Sequence, residues 1–436
     1  MSLAGSTPET EAAPPAGGRD AVRRRRVLVI VRDYPPANTP AAQRALGFAR
    51  YLPEFGWEAS VVTLRAAARG GGDAGPPAPA ARAVYPAFGF DTKDVFSLRG
   101  RYPHLLAVPD RNVSWLPDGV VQALRAVRRE RVDVLLSTGP PQTAHCIAHL
   151  VQRLAGLPWV ADVRDLWDGP PPHARLAHAV EHRLARRLLR ACDRLTAVTA
   201  GIADGLQRAY AVELAQKTDV LPNGFDEQAF AGVEPRASSG GRFTIAHIGW
   251  AASGYRHPGP VLQGLRAGLD RGDLPADTVM SFLGAHAGIV QSVSRALQLQ
   301  DVVQLRARVP YDEALRAMCS ASVLLLLQGD EFRHAVPAKA YEYLRSGRPI
   351  VALVTPDGET ARLLRQFAGV FLASPERPDE AAAALQAAYR AWRDGVGFER
   401  PASQLARLTR RAGAGALAAI LDRAYAPAAG ARRGRG

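Results

Sequence analysis

The sequence predicts an α/β protein with two doubly wound domains that face a cleft. Short apolar runs alternate with amphipathic segments in both halves of the chain, which is typical of buried parallel strands joined by helices. At 436 residues the chain exceeds one ordinary hydrophobic core. A polar segment rich in Gly and Ser at residues 231–241 separates the two series, so we place the domain boundary there.

The composition argues against a membrane-spanning, a disulfide-rich and a nucleic-acid-binding protein. Hydrophobic residues make up 47% of the chain, and no apolar run approaches the roughly 20 residues that a membrane-spanning helix needs. Three scattered cysteines fit neither a disulfide framework nor a metal site, and we expect a cytoplasmic protein. The net charge of +14 suits nucleic acid, anionic nucleotides or an anionic membrane. Nucleic acid is the least favoured of these, because the arginines are dispersed and no nucleic-acid-binding motif is present.

The first half of the chain predicts an N-terminal domain over residues 26–230, after a disordered tail at residues 1–25 that is rich in Pro, Gly and Ala. A similar composition at residues 66–82 predicts a flexible insertion. No G-x-G-x-x-G segment follows the first strand, which argues against a dinucleotide-dependent dehydrogenase. The predicted elements are strands at 27–31, 58–64, 132–136, 159–161, 195–198 and 219–221, and helices at 41–52, 116–129, 142–154 and 173–194.

The helix at residues 173–194 is strongly basic. A run of charge of this kind is usually a solvated helix face, and contact with a membrane surface, as a peripheral protein at the inner membrane face, is the minority alternative. Its charge comes mainly from Arg183, Arg186, Arg187 and Arg190.

Polar segments follow three strands of the first half, at residues 32–40, 137–141 and 162–167. In a parallel sheet these carboxyl ends lie at one edge, where such folds bind ligands. The segment at 162–167 is the densest in polar groups. A functional role is favoured for it, and the alternative is that its charges form internal salt bridges while Trp167 packs against the domain.

The second half predicts a C-terminal domain over residues 242–395, followed by a segment at 396–436 whose helix, at about 404–423, packs back across the joint. The loop after its first strand carries Arg256 and His257. The predicted strands lie at 243–249, 278–283, 302–305, 323–327 and 348–354, and the helices at 261–269, 288–297, 311–321 and from 337 to a stop at Gly347.

The helix after Pro337 carries the clearest chemistry. It starts at the carboxyl edge of the predicted sheet, so its N-terminal amides point toward a phosphate-binding crevice. Lys339 and Glu342 share one face, where an ammonium suits a diphosphate and a carboxylate suits a ribose diol. An ordinary amphipathic helix is about equally compatible with these residues. Lys339 is one of only three lysines among 55 basic residues, which slightly favours a site that needs a compact charge.

Four segments, in this order and spacing, resemble the GT-B glycosyltransferases, and most of all the large retaining family numbered four (the group 1-like glycosyl transferases), which has two Rossmann-like domains. The resemblance covers nearly all of residues 26–395. The matching segments are residues 32–36, 160–167, 221–226 and 339–344.

The resemblance implies a nucleotide-sugar donor held by the C-terminal domain without a metal ion or other cofactor. Arg256 and Lys339 would neutralise the diphosphate and Glu342 would hold the ribose. The Arg308–Val309 backbone would lie beside the base. The remaining donor contacts would come from the Gly249 loop and from the helix N-terminus at His334, Ala335 and Val336.

The acceptor would enter over the loops of the N-terminal domain, with Asp165 as a third catalytic candidate. The implied acceptors are an envelope glycan, a lipid-linked intermediate or a small secondary metabolite, and nucleic acid is not among them. The acceptor-binding candidates are Pro36, Asn38, Thr39, Thr138, Gly139 and Arg164.

The chain departs from the family pattern at three positions. His334 stands where the family usually has a glutamate that faces the donor sugar. Arg256 has no lysine beside it in the Gly249 loop, and Arg164 stands where many members have a histidine. The alternative hypothesis is therefore a catalytically degenerate GT-B protein that binds nucleotide or glycan without turnover.

Overall fold

The computed structural model describes residues 23–65, 80–97, 104–167, 174–211, 213–233, 241–251, 256–398 and 400–433. Most of the predicted tail, insertion and joint, at residues 1–22, 66–79 and 234–240, therefore lies outside the described residues. Two parallel sheets with helices on both faces form the molecule, which confirms the predicted fold class.

The first sheet has seven parallel strands in the order β3-β2-β1-β4-β5-β6-β7. The order reverses between β1 and β4, and ligands of doubly wound sheets bind at the carboxyl side of such a switch point. The strands are β1 (Arg25–Ile30), β2 (Trp57–Leu64), β3 (Val84–Ala87), β4 (Val134–Gly139), β5 (Trp159–Val163), β6 (Arg194–Ala197) and β7 (Thr218–Val220). The helices are α1 (Pro40–Tyr51), α2 (Thr92–Phe96), α3 (Leu116–Glu130), α4 (Thr143–Ala155), α5 (Arg175–Ala191) and α6 (Ala200–Tyr210).

The second sheet has six parallel strands in the order β10-β9-β8-β11-β12-β13, with its switch point between β8 and β11. Its strands are β8 (Thr244–Ile248), β9 (Val279–Leu283), β10 (Val303–Arg306), β11 (Val323–Leu327), β12 (Ile350–Leu353) and β13 (Val370–Ala373). Its helices are α7 (Gly259–Asp270), α8 (Ala287–Ala296), α9 (Tyr311–Ser320), α10 (Ala338–Arg345), α11 (Glu359–Leu364), α12 (Pro378–Arg393) and α13 (Ala402–Ala406).

Successive side chains of a strand point to opposite faces of the sheet, so a hydrophobic core forms on each face of each sheet. In β1, Val27 and Val29 pack on one face, while Leu28 and Ile30 pack on the other. Central strands such as β11 are apolar throughout because both faces of the sheet are covered by helices.

The last helix, α14 (Arg410–Arg433), crosses from the second domain to the first. Its residues Leu417 and Leu421 pack in the same core as β1 and α1. The carboxylate of Asp422 accepts a hydrogen bond of 2.9 Å from Nε1 of Trp57. Helix α14 therefore links the second domain to the outer face of the first.

The predicted strand ends need correction on the first sheet. The sequence suggested that β4 stops at Leu136, but it continues through Gly139, and β5 continues through Val163. The polar residues of these extensions are buried and paired with each other, so they behave as strand interior. Helix α6, strand β3 and helix α12 were not predicted from the sequence.

None of the helices among the described residues is both long and apolar enough to span a bilayer.

Candidate active site

A cavity of about 1160 Å³ lies between the carboxyl edges of the two sheets. Residues that follow β1 and β4 line one wall, and residues that follow β8 and β11 line the other, so both switch points open into the same space. The cavity wall includes these predicted site residues: Asn38, Thr39, Arg164, Asp165, Gly249, Arg256, Arg308, Val309, Ala335, Val336, Lys339 and Glu342.

Lys339 lies in the first turn of α10 and faces the end of β8. Gly249 has a φ of +111°, and a Cβ at this residue would lie 3.1 Å from Nζ of Lys339, so a glycine is needed for this close approach. Burial lowers the pKa of Lys339 to about 7, and the nearby Arg256 lowers it in the same direction, while Glu342 opposes the shift. Two cations that disfavour each other in a buried cavity form a site that an anion would stabilise.

His247 orients the lysine from within β8. Its Nδ1 lies 3.0 Å from the carbonyl oxygen of Leu325 in β11, and its Nε2 lies 3.5 Å from Nζ of Lys339. Burial, followed by Lys339, lowers the pKa of His247 well below its usual value. The ring is therefore neutral, and with Nδ1 donating to Leu325 its Nε2 accepts from the ammonium. The sequence analysis missed this residue, although a histidine inside an apolar strand is a usable signal.

The N-terminus of α10 is open toward the cavity. No side chain of the described residues caps it, and residues 335–338 line the cavity wall. The preceding loop is fixed by Gln328, whose amide nitrogen donates to the carbonyl oxygens of Phe332 at 2.8 Å and Ala335 at 2.9 Å. The first amides of α10 are thus held in place beside Lys339, as a phosphate site requires.

Glu342 belongs to a network that the sequence did not reveal. The hydroxyl of Tyr311 donates to its carboxylate at 2.7 Å, and a guanidinium nitrogen of Arg410 lies 3.8 Å away. Arg410 also donates to Gln43 of α1 at 3.1 Å. Burial raises the pKa of Glu342. The carboxylate predicted to hold a ribose is therefore oriented by α9 of its own domain and by the helix that crosses to the other.

Direct hydrogen bonds join the cavity walls and the rims beside them. The guanidinium of Arg308 donates to the carbonyl oxygen of Asn38, and both residues line the cavity. The hydroxyl of Thr199 donates to the carbonyl oxygen of His334. The His334 side chain is not part of the cavity wall, so the predicted donor contact at this residue is limited to its neighbours Ala335 and Val336.

The first domain supplies a wall of mixed charge. The carboxylate of Asp33 accepts hydrogen bonds from Arg32 at 3.0 Å and from the hydroxyl of Thr39 at 3.2 Å. Thr39 also caps α1 through the backbone N–H of Ala42. These contacts fix the β1 loop against the start of α1, which keeps Asp33 and Thr39 at the cavity edge.

Asp110 is a second carboxylate of this wall, and the sequence analysis missed it. It accepts hydrogen bonds from the backbone N–H of Thr143 at 2.7 Å, from the Thr143 hydroxyl at 2.9 Å and from the backbone N–H of Asn112 at 2.8 Å. Burial raises its pKa. No predicted strand precedes Asp110, so a search restricted to strand ends could not find it.

The segment at 162–167 contains both buried structural residues and residues that line the cavity. Asp162 is buried and forms an ion pair with Arg44 at 2.8 Å, and Trp167 is buried against His145 with ring centroids 5.7 Å apart. Arg164 and Asp165, by contrast, line the cavity. The structural interpretation therefore holds for two of these residues, and the functional candidates lie between them.

Three predicted acceptor residues do not line the cavity. Thr138 is fully buried in β4, and its hydroxyl donates to Asp162 at 2.8 Å. Gly139 packs on the ring of His145, where a Cβ would come within 2.5 Å of Nε2. Pro36 also lies outside the wall. The assignment of Thr138 and Gly139 to an exposed loop was wrong because β4 extends through both.

Comparison with known proteins agrees with this architecture. Residues 41–229 match the profile of Glycosyltransferase Family 4. Comparison with curated protein sequences gives no match.

Solved structures share the fold along nearly the whole chain. An α,α-trehalose 6-phosphate synthase from Burkholderia multivorans is 14% identical, with 94% of this chain and 98% of that one covered and a TM-score of 0.61. HepE of Anabaena, solved in complex with UDP-glucose, is 14% identical over 94% and 99% of the two chains, with a TM-score of 0.54. A UDP-GlcNAc 2-epimerase from Methanocaldococcus jannaschii is 11% identical over 91% and 99%, with a TM-score of 0.52.

An epimerase and a synthase with the same fold show that the fold alone does not decide the reaction. The profile match over residues 41–229 makes the first domain similar to a transferase family. The chain therefore shares the fold of these solved structures, and residues 41–229 are similar to Glycosyltransferase Family 4.

Proposed function

We propose that the second domain binds a nucleoside diphosphate sugar and that the enzyme transfers this sugar, without a metal ion or other cofactor, to an acceptor held by the first domain. One observation carries the proposal. Half-buried Lys339, nearby Arg256 and the N-terminus of α10, which no described side chain caps, converge on the cavity at the switch point of the second sheet. A diphosphate is the ligand that matches two cations and a row of backbone amides. The relative bound to UDP-glucose supports the same choice.

The positive groups would act on the departing diphosphate. When the bond between the anomeric carbon and the phosphate oxygen breaks, negative charge grows on that oxygen, and fixed positive groups stabilise the charge as it forms. We propose retention of the anomeric configuration. The acceptor oxygen would bond to the anomeric carbon on the face that the diphosphate leaves, and the acceptor proton would pass to the released phosphate. In this scheme Lys339, Arg256 and the amides of α10 do the work that a metal ion does elsewhere.

The acceptor would bind along the first-domain wall. Asp33, Asp110 and Asp165 face the cavity there, and carboxylates beside arginines suit the hydroxyl groups of a sugar or polyol. Asp165 and Arg164 would position the acceptor hydroxyl. An envelope glycan, a lipid-linked intermediate and a small secondary metabolite all fit this chemistry.

The second candidate is a GT-B protein that binds nucleotide or glycan without turnover, and His334 in place of the family glutamate favours it. The two functions differ in whether a sugar nucleotide is consumed. The test is to incubate the enzyme with UDP-, GDP-, dTDP- and ADP-sugars, with and without candidate acceptors, and to follow the released nucleoside diphosphate and the sugar product by mass spectrometry.

We expect one donor to be consumed by the wild-type chain and by Lys93→Met, which removes an exposed lysine. Lys339→Met should lower the rate by about 10²–10³-fold, the usual loss for one electrostatic group. Binding with no product from any donor and acceptor would support the degenerate protein, and an isomerised sugar nucleotide would indicate an epimerase. Nuclear magnetic resonance of the product then tests retention.

A further inference from the structure

We propose that the outer face of the first domain, formed by α4, α5, the turn His104–Ala107 and α2, is a docking surface for an anionic lipid bilayer. The inference does not depend on the donor site. It starts from a shallow cavity of about 390 Å³ between α4 and α5 on this face. Besides His149 and Ala191, the cavity is lined by five arginines, which we call the arginine groove: Arg153, Arg183, Arg186, Arg187 and Arg190.

The charge of the arginine groove is not neutralised by its own helices. Helix α4 contains no acidic residue, and the only one in α5 is Glu181, which is buried beside the hydroxyl of Tyr210 at 3.4 Å. Asp193 follows α5, and its carboxylate already accepts from the backbone N–H of Trp159 at 2.7 Å. Within the described part of the chain, none of the five arginines forms an ion pair. Nε of Arg186 is buried without a hydrogen-bond partner among the described residues.

Exposed aliphatic side chains flank the groove. Leu150 and Leu154 lie one turn apart on α4, and Leu176 and Val180 lie one turn apart on α5. Leu154 and Leu176 are each 67% exposed, although large aliphatic groups are costly to leave in water. The α5 stripe continues from Val180 to Arg183, so apolar and basic groups share one helix face.

The apolar surface extends from α5 toward the cavity. The turn His104–Ala107 packs against α5, and α2 packs against that turn. Their exposed large side chains are Val95, Phe96, Leu105 and Leu106. Asp91, which caps α2, lines the cavity on the acceptor side. Exposed apolar side chains are therefore present on each element of the series that links α5, through the turn and α2, to the rim of the first-domain wall.

This combination fits a bilayer better than nucleic acid. A basic helix with an exposed aliphatic stripe lies in the headgroup region of an anionic membrane, where arginines meet phosphates and aliphatic side chains enter the acyl boundary. Nucleic acid would use the arginines but leave the leucines in water. If the proposed function is correct, a lipid-anchored acceptor would reach the cavity directly from this surface.

The test is flotation of the full chain with two kinds of vesicle, one of phosphatidylcholine alone and one mixed with phosphatidylglycerol, without any sugar nucleotide. We expect binding to the anionic vesicles only, weakened by salt. Arg183→Gln, Arg187→Gln and Arg190→Gln together should weaken it about 100-fold. The matched control removes three exposed second-domain arginines with the same change in net charge: Arg295→Gln, Arg365→Gln and Arg390→Gln.

A second variant tests the apolar part. Leu154→Ser with Leu176→Ser leaves the charge unchanged and should still weaken vesicle binding several-fold, because the aliphatic insertion is lost. Both positions are exposed, so the fold should persist, as circular dichroism would show. Equal loss in the control triple variant, or unchanged binding of the leucine variant, would overturn the proposal. Tighter binding of duplex DNA than of anionic vesicles, lost with the arginines and unaffected by the leucines, would assign the groove to nucleic acid instead. Vesicle binding and donor turnover are separate measurements, so either proposal can fail alone.

Discussion

At the scale of single residues, Lys339 is the centre of the molecule's chemistry. In a chain that uses arginine almost everywhere, this lysine stands where a compact charge is needed, between His247 and the glycine that ends β8. An arginine keeps its proton in any protein, whereas a buried lysine can lose it near neutral pH. The affinity of the donor site for an anion should therefore depend on pH.

Nucleoside diphosphate affinity should fall as the pH rises above about 7. Burial holds the pKa of Lys339 near 7, below its usual value, so at higher pH the free enzyme has a neutral lysine that must gain a proton to meet the diphosphate. The expected loss approaches about tenfold per pH unit between pH 7.5 and 9, where the diphosphate itself is fully ionised. Titration calorimetry measures this, and Lys339→Arg should flatten the dependence. A flat wild-type profile would contradict the assignment.

Gly249→Ala should weaken nucleotide binding. The new Cβ would come within 3.1 Å of Nζ of Lys339, and alanine is strained at a φ of +111°. Gly272→Ala is the matched control, since its φ is +70° and its Cβ would meet nothing within 4 Å. Both variants should lose stability from backbone strain, about 1–3 kcal/mol. Only Gly249→Ala should lose nucleotide affinity, by about tenfold or more; equal affinities would show that the contact with Lys339 does not matter.

Sequence patterns identified Lys339, Arg164 and Asp165 because each follows a strand that is visible in the sequence. They did not identify Tyr311, Asp110 or Arg410. Asp110 follows no predicted strand, Tyr311 was predicted only as the first residue of a helix, and Arg410 enters the cavity from the last helix. Which of these residues meet is decided by tertiary packing, and no local pattern carries that information.

At the scale of elements, the strand bounds predicted from the sequence were wrong where the strand ends contain polar residues. Thr138 and Asp162 look like loop residues, because Thr138 donates to Asp162 and the ion-pair partner of Asp162, Arg44, is far away in the sequence. Once paired, all three are buried, and β4 and β5 continue through them. The positions of most helices and strands were predictable from apolar periodicity, while these extensions depended on a long-range ion pair.

Removing either partner of the Arg44–Asp162 pair should strongly destabilise the first domain. Asp162 accepts from Arg44, Thr138 and Thr196, so Arg44→Met or Asp162→Asn leaves a buried group unpaired and should cost about 3–5 kcal/mol. The double variant should lose much less free energy of unfolding than the two single variants lose in sum. Urea unfolding followed by tryptophan fluorescence gives the free energies, since four of the six tryptophans are buried in the first domain.

The exposed pair Arg316–Asp312 supplies the control cycle, and it should show little change. Strictly additive effects at Arg44 and Asp162 would mean that the pair is not an interacting unit.

At the scale of the whole molecule, two sheets of the same topology place their switch points opposite each other. This much followed from the sequence, because the alternation of strands and helices in both halves fixes parallel sheets and their carboxyl edges. The return of the last helix across the joint was also predicted, but the residues that link the halves were not. Arg410 joins α14, α10 and α1, and Arg308 joins the two cavity walls, so residues from both domains and from the last helix share one network.

The most direct test of the donor site is thermal unfolding of the whole chain with UDP, GDP, dTDP and ADP. A diphosphate at about 100 times its dissociation constant should add roughly 2.7 kcal/mol to the folded state. We predict that one of the four raises the unfolding temperature of the wild type and of Lys93→Met but not of Lys339→Met. If no diphosphate stabilises the wild type, or if Lys339→Met is stabilised equally, then the cavity beside α10 is not a working donor site.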